Sequence, residues 1–140
     1  MKTVAHVGLF LAAALVAVAV PAVAQDAAAT DAPRVSMGVG TGIDRETRSL
    51  EGAADTFAAA GDTLLLWCFT LLENLEPPTR VTHAWFHEGH TEAMIELDVK
   101  SNWFRTWSNK MILPSQTGPW EVKVLDTDGT VLGTSAFLVE

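Results

Sequence analysis

From Arg34 onward, apolar and polar residues alternate with the period of two that marks β-strands. Val35, Met37 and Val39 alternate with small or polar neighbours. Residues 63–72, which include Leu64-Leu65-Leu66-Trp67-Cys68-Phe69, are apolar on both faces, as expected of a central strand covered on each side. Pro77-Pro78 end that element. Segments 79–87 and 91–100 follow as two strands joined by Glu88-Gly89, a hairpin turn signal. Segments 103–109, 120–126 and 130–139 complete the series, the last two joined by Thr127-Asp128-Gly129. Between the first strand and the central one, 44–61 is irregular. Leu50, Ala53, Ala54 and Phe57 stand there at helical spacing between glycines, so a short helix and an ordered loop fit equally well. Strands at these short intervals, with at most one short helix, predict an all-β fold. The expected architecture is an immunoglobulin-like antiparallel β-sandwich of about seven strands, with an open barrel as the competing arrangement.

The N-terminal pattern is different. Lys2 precedes an apolar run from Val7 to Val20, Pro21 breaks it, and Ala22-Val23-Ala24 offers small residues for signal-peptide cleavage before Gln25. Residues 1–24 are therefore expected to be an export signal. A membrane anchor is the alternative, but the run is at the short limit for a span and contains a proline. Segment 25–33, rich in Ala, Asp and Thr, reads as a linker, which leaves 34–140 as a single domain. The expected location is the periplasm or the medium.

Composition sharpens this picture in two ways. The 49% apolar content is inflated by the leader, and the formal charge of −8 becomes more negative once Lys2 is removed. Nucleic acid is thereby an unexpected partner, as is stable membrane insertion after cleavage, because no basic footprint exists for an anionic surface. The single cysteine, Cys68, rules out an intrachain disulfide and a Cys-based zinc site, and its mid-strand setting reads as a buried small hydrophobe.

The richest candidate chemistry lies on the strand that begins at Trp103. Alternation sends Trp103, Arg105 and Trp107 to one face and Phe104, Thr106, Ser108 and Lys110 to the other. Two readings compete. In one, the tryptophans close the core while Arg105 extends between them to the rim. In the other, the stripe is an exposed platform that stacks flat ligands, with Arg105 and Lys110 donating to an acidic group. His83 and Trp85 join the candidate binding set if their strand pairs with this one. For His83 the simpler reading is a core-edge histidine hydrogen-bonded to a neighbour. His83 and His87, four residues apart on a strand, are separated by about 13 Å and cannot share one zinc ion. His87 and His90 flank an exposed turn, where with Glu88 or Glu92 they would form only an adventitious site.

Other patterns carry less. Gly38-Val39-Gly40-Thr41-Gly42 is not followed by the helix that a phosphate loop requires. Asp126-Thr127-Asp128-Gly129 lacks the further ligands of a calcium loop. Ser108, Ser115 and Ser135 have no nucleophile-elbow context. Glu92, Glu96 and Asp98 alternate against the apolar Ala93, Ile95, Leu97 and Val99, which makes them a solvated face.

Several motifs also resemble a known family. Gly42-Ile43-Asp44-Arg45-Glu46, Val81-Thr82-His83-Ala84-Trp85 and Trp103-Phe104-Arg105-Thr106-Trp107-Ser108-Asn109-Lys110 occur in that order. Gly118-Pro119-Trp120-Glu121-Val122 follows, and Asp128-Gly129 with Phe137 closes the series. In this the chain resembles the bacterial domain of unknown function 2914 family (DUF2914). It departs from the pattern at Thr47, where the family tends to have Pro, and at His87-Glu88-Gly89-His90, which replaces an Asn-Gly turn. The resemblance implies an exported or membrane-attached bacterial protein, and it brings no catalytic residues with it. The resulting expectation is a non-catalytic binding or accessory module of the cell envelope, without cofactor or metal, whose partner is an envelope protein or glycan. A hydrolase of envelope polymers and an oligomerising structural domain are the alternatives.

Overall fold

The alternating pattern resolves into ten strands in a computed structural model that describes residues 32–140. The leader, 1–24, and nearly all of the linker, 25–33, lie outside the described residues. Seven strands are long: β1 (Arg34–Gly40), β5 (Leu64–Glu73), β6 (Thr79–His87), β7 (His90–Val99), β8 (Trp103–Ile112), β9 (Gly118–Leu125) and β10 (Val131–Val139). The short ones are β2 (Gly42–Asp44), β3 (Ser49–Glu51) and β4 (Thr56–Phe57). One sheet has the order β1-β5-β8 and the other β4-β10-β9-β6-β7. In chain order this places the first, second and fifth long strands opposite the other four, the partition of an immunoglobulin-like sandwich.

Local chemistry sets the hairpins. Glu88 and Gly89 both have positive φ, 50° and 80°, as a two-residue type I′ turn requires, and His87 pairs directly with His90 across it. Within β5 the alternation is strict. Leu66, Cys68, Thr70 and Leu72 are buried between the sheets, while Leu65, Trp67, Phe69 and Leu71 face outward. Burial pushes the Cys68 thiol up to about 12, against a smaller opposing effect of a hydrogen bond with Thr70. The thiol therefore stays protonated and packs as a small apolar group.

The interior falls into two apolar clusters. One contains Leu66, Cys68, Trp85, Trp120, Val122 and Phe137; the other contains Leu72, Val81, Val99 and Val124. A polar seam lies between them. His83 and Thr70 are fully buried and Ser108 nearly so. Along β6 the inward residues run Val81, His83, Trp85, so the histidine stands where one cluster gives way to the other.

No helix occurs among the described residues, and this settles the irregular 44–61 stretch. β2 and β3 form a hairpin instead, with Ile43 opposite Leu50. Asp44 organises its turn by accepting hydrogen bonds from the Glu46 and Thr47 amides at 2.8 and 3.2 Å. Hydrogen bonds from the Thr47 side chain, the Thr47 amide and the Glu46 amide hold its carboxyl below the usual carboxylate range. The hairpin lies against a bare part of β1. A Cβ on Gly40 would collide with the Glu51 carbonyl oxygen and would stand 2.9 Å from Leu50 Cδ1. Gly40→Ala should therefore unseat the hairpin at a cost of about 1–3 kcal/mol. Urea denaturation checks this, and a midpoint equal to that of the parent protein would contradict it.

Candidate functional site

The Trp103-Arg105-Trp107 stripe lies on the outer face of the three-stranded sheet, away from the core. Its counterparts in the core are Phe104 and Ser108 of the same strand. The reading in which these tryptophans close the sandwich is thus corrected: alternation along β8 is unbroken, and Ser108 and Ile112 face inward. The register arranges the outer face in cross-strand rows. Arg34, Glu73 and Trp103 form one; Ser36, Leu71 and Arg105 the next; Gly38, Phe69 and Trp107 the third; Gly40, Trp67 and Asn109 the fourth.

The β2–β3 hairpin roofs the last two rows. Leu50 would touch a Cβ at Gly38 or Gly40, and the roof carries arginines that lie against tryptophan. The Arg45 guanidinium carbon is 6.0 Å from the Trp67 ring centroid, and that of Arg48 is 5.8 Å from Trp107. A reciprocal clamp fixes the turn to β8. Arg48 Nη2 donates to the Arg105 carbonyl at 3.2 Å, and Arg105 Nη1 donates to the Thr47 carbonyl at 3.1 Å. Arg105 also lies over Trp103, with 4.8 Å between its guanidinium carbon and the ring centroid. Trp107 is half-buried under the roof, whereas Trp103 beyond it is 48% exposed.

The other predicted site residues are elsewhere. Lys110 faces inward at the edge of the sheet, and its Nζ donates to the Met111 carbonyl at 2.9 Å. An inward-pointing charge on an edge strand opposes pairing with another chain, and that explains a lysine there better than ligand binding does. His83 and Trp85 are fully buried and belong to the opposite sheet. β6 and β8 do not pair, so the six residues do not form one site. What His83 and Trp85 share with β8 is the polar seam. His83 Nδ1 lies 2.7 Å from Ser108 Oγ, His83 Nε2 lies 2.9 Å from Thr70 Oγ1, and Trp85 Nε1–H donates to Ser108 Oγ at 3.1 Å. Burial draws the His83 imidazole down to about 4, so at neutral pH it is uncharged. Because Ser108 Oγ already accepts from Trp85, the seam is complete in the neutral tautomer in which Ser108 O–H donates to His83 Nδ1 and His83 Nε2–H donates to Thr70 Oγ1.

His87 is also occupied: Nε2 lies 2.7 Å from the Thr117 carbonyl, and its ring stacks on Trp120 at 4.6 Å. Among the described residues no three His, Cys, Asp or Glu side chains are placed to hold a metal ion. A hollow of 360 Å³ lined by Arg80, Asp98 and Lys100 lies on the other sheet, where Arg80 is committed to Glu96 and Asp98. Two residues escaped the sequence reading, Arg45 and Arg48. Their signal was weak, since only the folded hairpin brings them over Trp67 and Trp107.

Fold and site together define an immunoglobulin-like sandwich whose smaller sheet carries an aromatic and arginine-lined outer face, partly roofed by a hairpin. The family model described as "Protein of unknown function (DUF2914)" matches residues 78–139, the stretch from β6 to β10. The match covers under half of the chain and includes the motifs from Val81 onward in which the sequence resembles that family. No curated protein matches the chain. Similar solved structures include a β-glucosidase from Listeria innocua in complex with glucose, with 6% identity and a TM-score of 0.40. The match covers 76% of this chain and 16% of that one. A second structure of the β-glucosidase from Listeria innocua matches with 6% identity, the same two coverages and a TM-score of 0.38.

Proposed function

We propose that the chain is an exported, non-catalytic binding or accessory module of the bacterial cell envelope, and that it works through the outer face of its smaller sheet. The leader-like N-terminus supports the address. The contrast between the two outer faces carries the binding part. On the larger sheet, Arg80, Glu96, Asp98, Glu121 and Lys123 form ion pairs among scattered exposed apolar residues such as Met94 and Leu138, as on an ordinary solvated face. The smaller sheet presents Trp103, with Arg105 over its ring and clamped to the hairpin turn, at the open end of the same face that the hairpin closes over Trp67 and Phe69.

The test uses the purified exported protein and the washed envelope fraction of the producing bacterium. Trp103→Ala should abolish cosedimentation while changing folding stability by no more than about 1 kcal/mol, as expected of a half-exposed side chain. Retention that does not depend on Trp103 would refute the reading.

A second reading, the oligomerising structural domain, draws on Leu65, Met111 and Leu113, which are 46%, 58% and 48% exposed. Leu65 and Met111 are cross-strand partners on the outer face. Light scattering that reports a monomer removes this reading.

A further inference from the structure

Resting on the binding-module reading, we propose that the open end of this face takes a saccharide that bears a carboxylate. The roof covers the rows of Trp107 and Trp67, its turn is clamped to Arg105 at the border, and the row of Trp103 lies beyond it. There the Arg105 guanidinium lies over the Trp103 indole, and the half of that side chain left exposed offers a flat apolar surface of the kind on which a pyranose ring stacks. The edge of that shelf is cationic. Arg48 is exposed at the hairpin turn, and Arg105 lies between it and Trp103.

The charge distribution points the same way. The chain is formally −8, and on the opposite sheet Arg80 and Lys123 are paired with carboxylates. Arg48 and Arg105 take part in none of the ion pairs among the described residues; they are fixed by backbone carbonyls and tryptophan rings. Those contacts hold the guanidinium groups in place without neutralising them, which suits charge-assisted bonds to an incoming carboxylate.

Glu73 sets the orientation. It stands between Arg34 and Trp103 in the same row, so the nearest charge across the indole is a carboxylate on the Glu73 side and the guanidinium groups of Arg105 and then Arg48 on the other, which favours an anionic substituent there. A sugar ring over Trp103 with its carboxylate directed to Arg48 satisfies both constraints. The net negative charge of the whole chain disfavours an extended anionic surface, such as a bilayer or nucleic acid, more than it does a single acidic sugar at short range.

The experiment titrates the purified exported protein with trigalacturonate and, separately, with neutral galactotriose, following the indole N–H resonances. Trigalacturonate should shift the Trp103 resonance and bind at least about tenfold more tightly than galactotriose. Trp103→Ala should abolish binding of both sugars, and Trp103→Phe should restore part of it. Arg48 has φ 54°, a left-handed conformation that asparagine tolerates, so Arg48→Asn removes the charge with little backbone strain. This variant should lose the preference for the acid and keep its affinity for galactotriose. A general loosening of the hairpin would weaken both.

Equal affinity for the two sugars, or an unchanged preference in Arg48→Asn, overturns the inference. So does the absence of any Trp103 shift with trigalacturonate, or binding to phosphatidylglycerol vesicles in its place. None of these results touches the module reading, which fails separately through Trp103-independent envelope retention.

Discussion

Trp85→Ala should remove about 3–5 kcal/mol of folding stability, the range for deleting a large aromatic side chain from a core. Trp85 is fully buried on β6, and its ring meets Phe137 edge-on at 6.2 Å and 81°. Phe137 in turn meets Phe57 and stacks on Trp120, so the deletion opens a hole beside a ring on which two further aromatic rings pack. The loss has a second component, because Trp85 Nε1–H donates to Ser108 Oγ across the two sheets. Trp85→Phe keeps most of the volume and removes only that donor, so its cost should be smaller, about 1–2 kcal/mol. Urea unfolding followed by the fluorescence of the remaining tryptophans checks both. A loss for Trp85→Ala below about 1.5 kcal/mol would mean that the core collapses around the hole far more readily than this packing allows. The contrast with Trp103→Ala, expected to change stability little, separates the two roles that tryptophan plays in this chain.

That division was only partly legible in the sequence. Alternation along β8 correctly separates Trp103, Arg105 and Trp107 from Phe104, Ser108 and Lys110, because the pleat fixes which residues share a face. Alternation does not say which face is the core. Trp107 and Trp85 look equally suited to an interior, and only the sheet partners decide between them. The sequence likewise does not reveal that β6 and β8 belong to opposite sheets, so grouping His83 and Trp85 with the β8 stripe was an error of strand pairing. The Glu88-Gly89 turn and the central place of β5 in its sheet were legible because their signals are local, whereas the cover expected on its second face is only partial, with Leu65 46% exposed. The hairpin of β2 and β3 was not. Its cohesion comes from Leu50 on the bare glycines of β1 and from the Arg48–Arg105 clamp, contacts between residues far apart in the chain. With those partners unknown, Leu50 and Phe57 fit a helical spacing as well as any other.

Acidification from pH 7 to pH 3.5 should cost the domain about 3 kcal/mol through His83 alone, taking roughly 1.4 kcal/mol for each pH unit between its folded and unfolded values. Burial holds the folded imidazole down at about 4, while in the unfolded chain it titrates near the ordinary histidine value. The stabilisation is therefore complete above that ordinary value. It declines as the unfolded state takes up a proton that the native state refuses, and it is exhausted once the pH falls through the folded value. Asp44 adds a loss of the same sign, but only at lower pH, since its carboxyl sits below the usual carboxylate range. The decisive comparison is with His83→Gln, whose neutral amide also has a donor and an acceptor for the seam. Stability measured against pH should slope less steeply for the variant by about 3 kcal/mol over this window. Parallel curves would show that His83 is not the group that resists protonation. The geometry explains why it should be. When charged, both ring nitrogens must donate, so Ser108 Oγ would accept from His83 and Trp85 together and its own proton would need another acceptor. The seam that joins the two sheets at neutral pH is thus complete only while the imidazole stays uncharged.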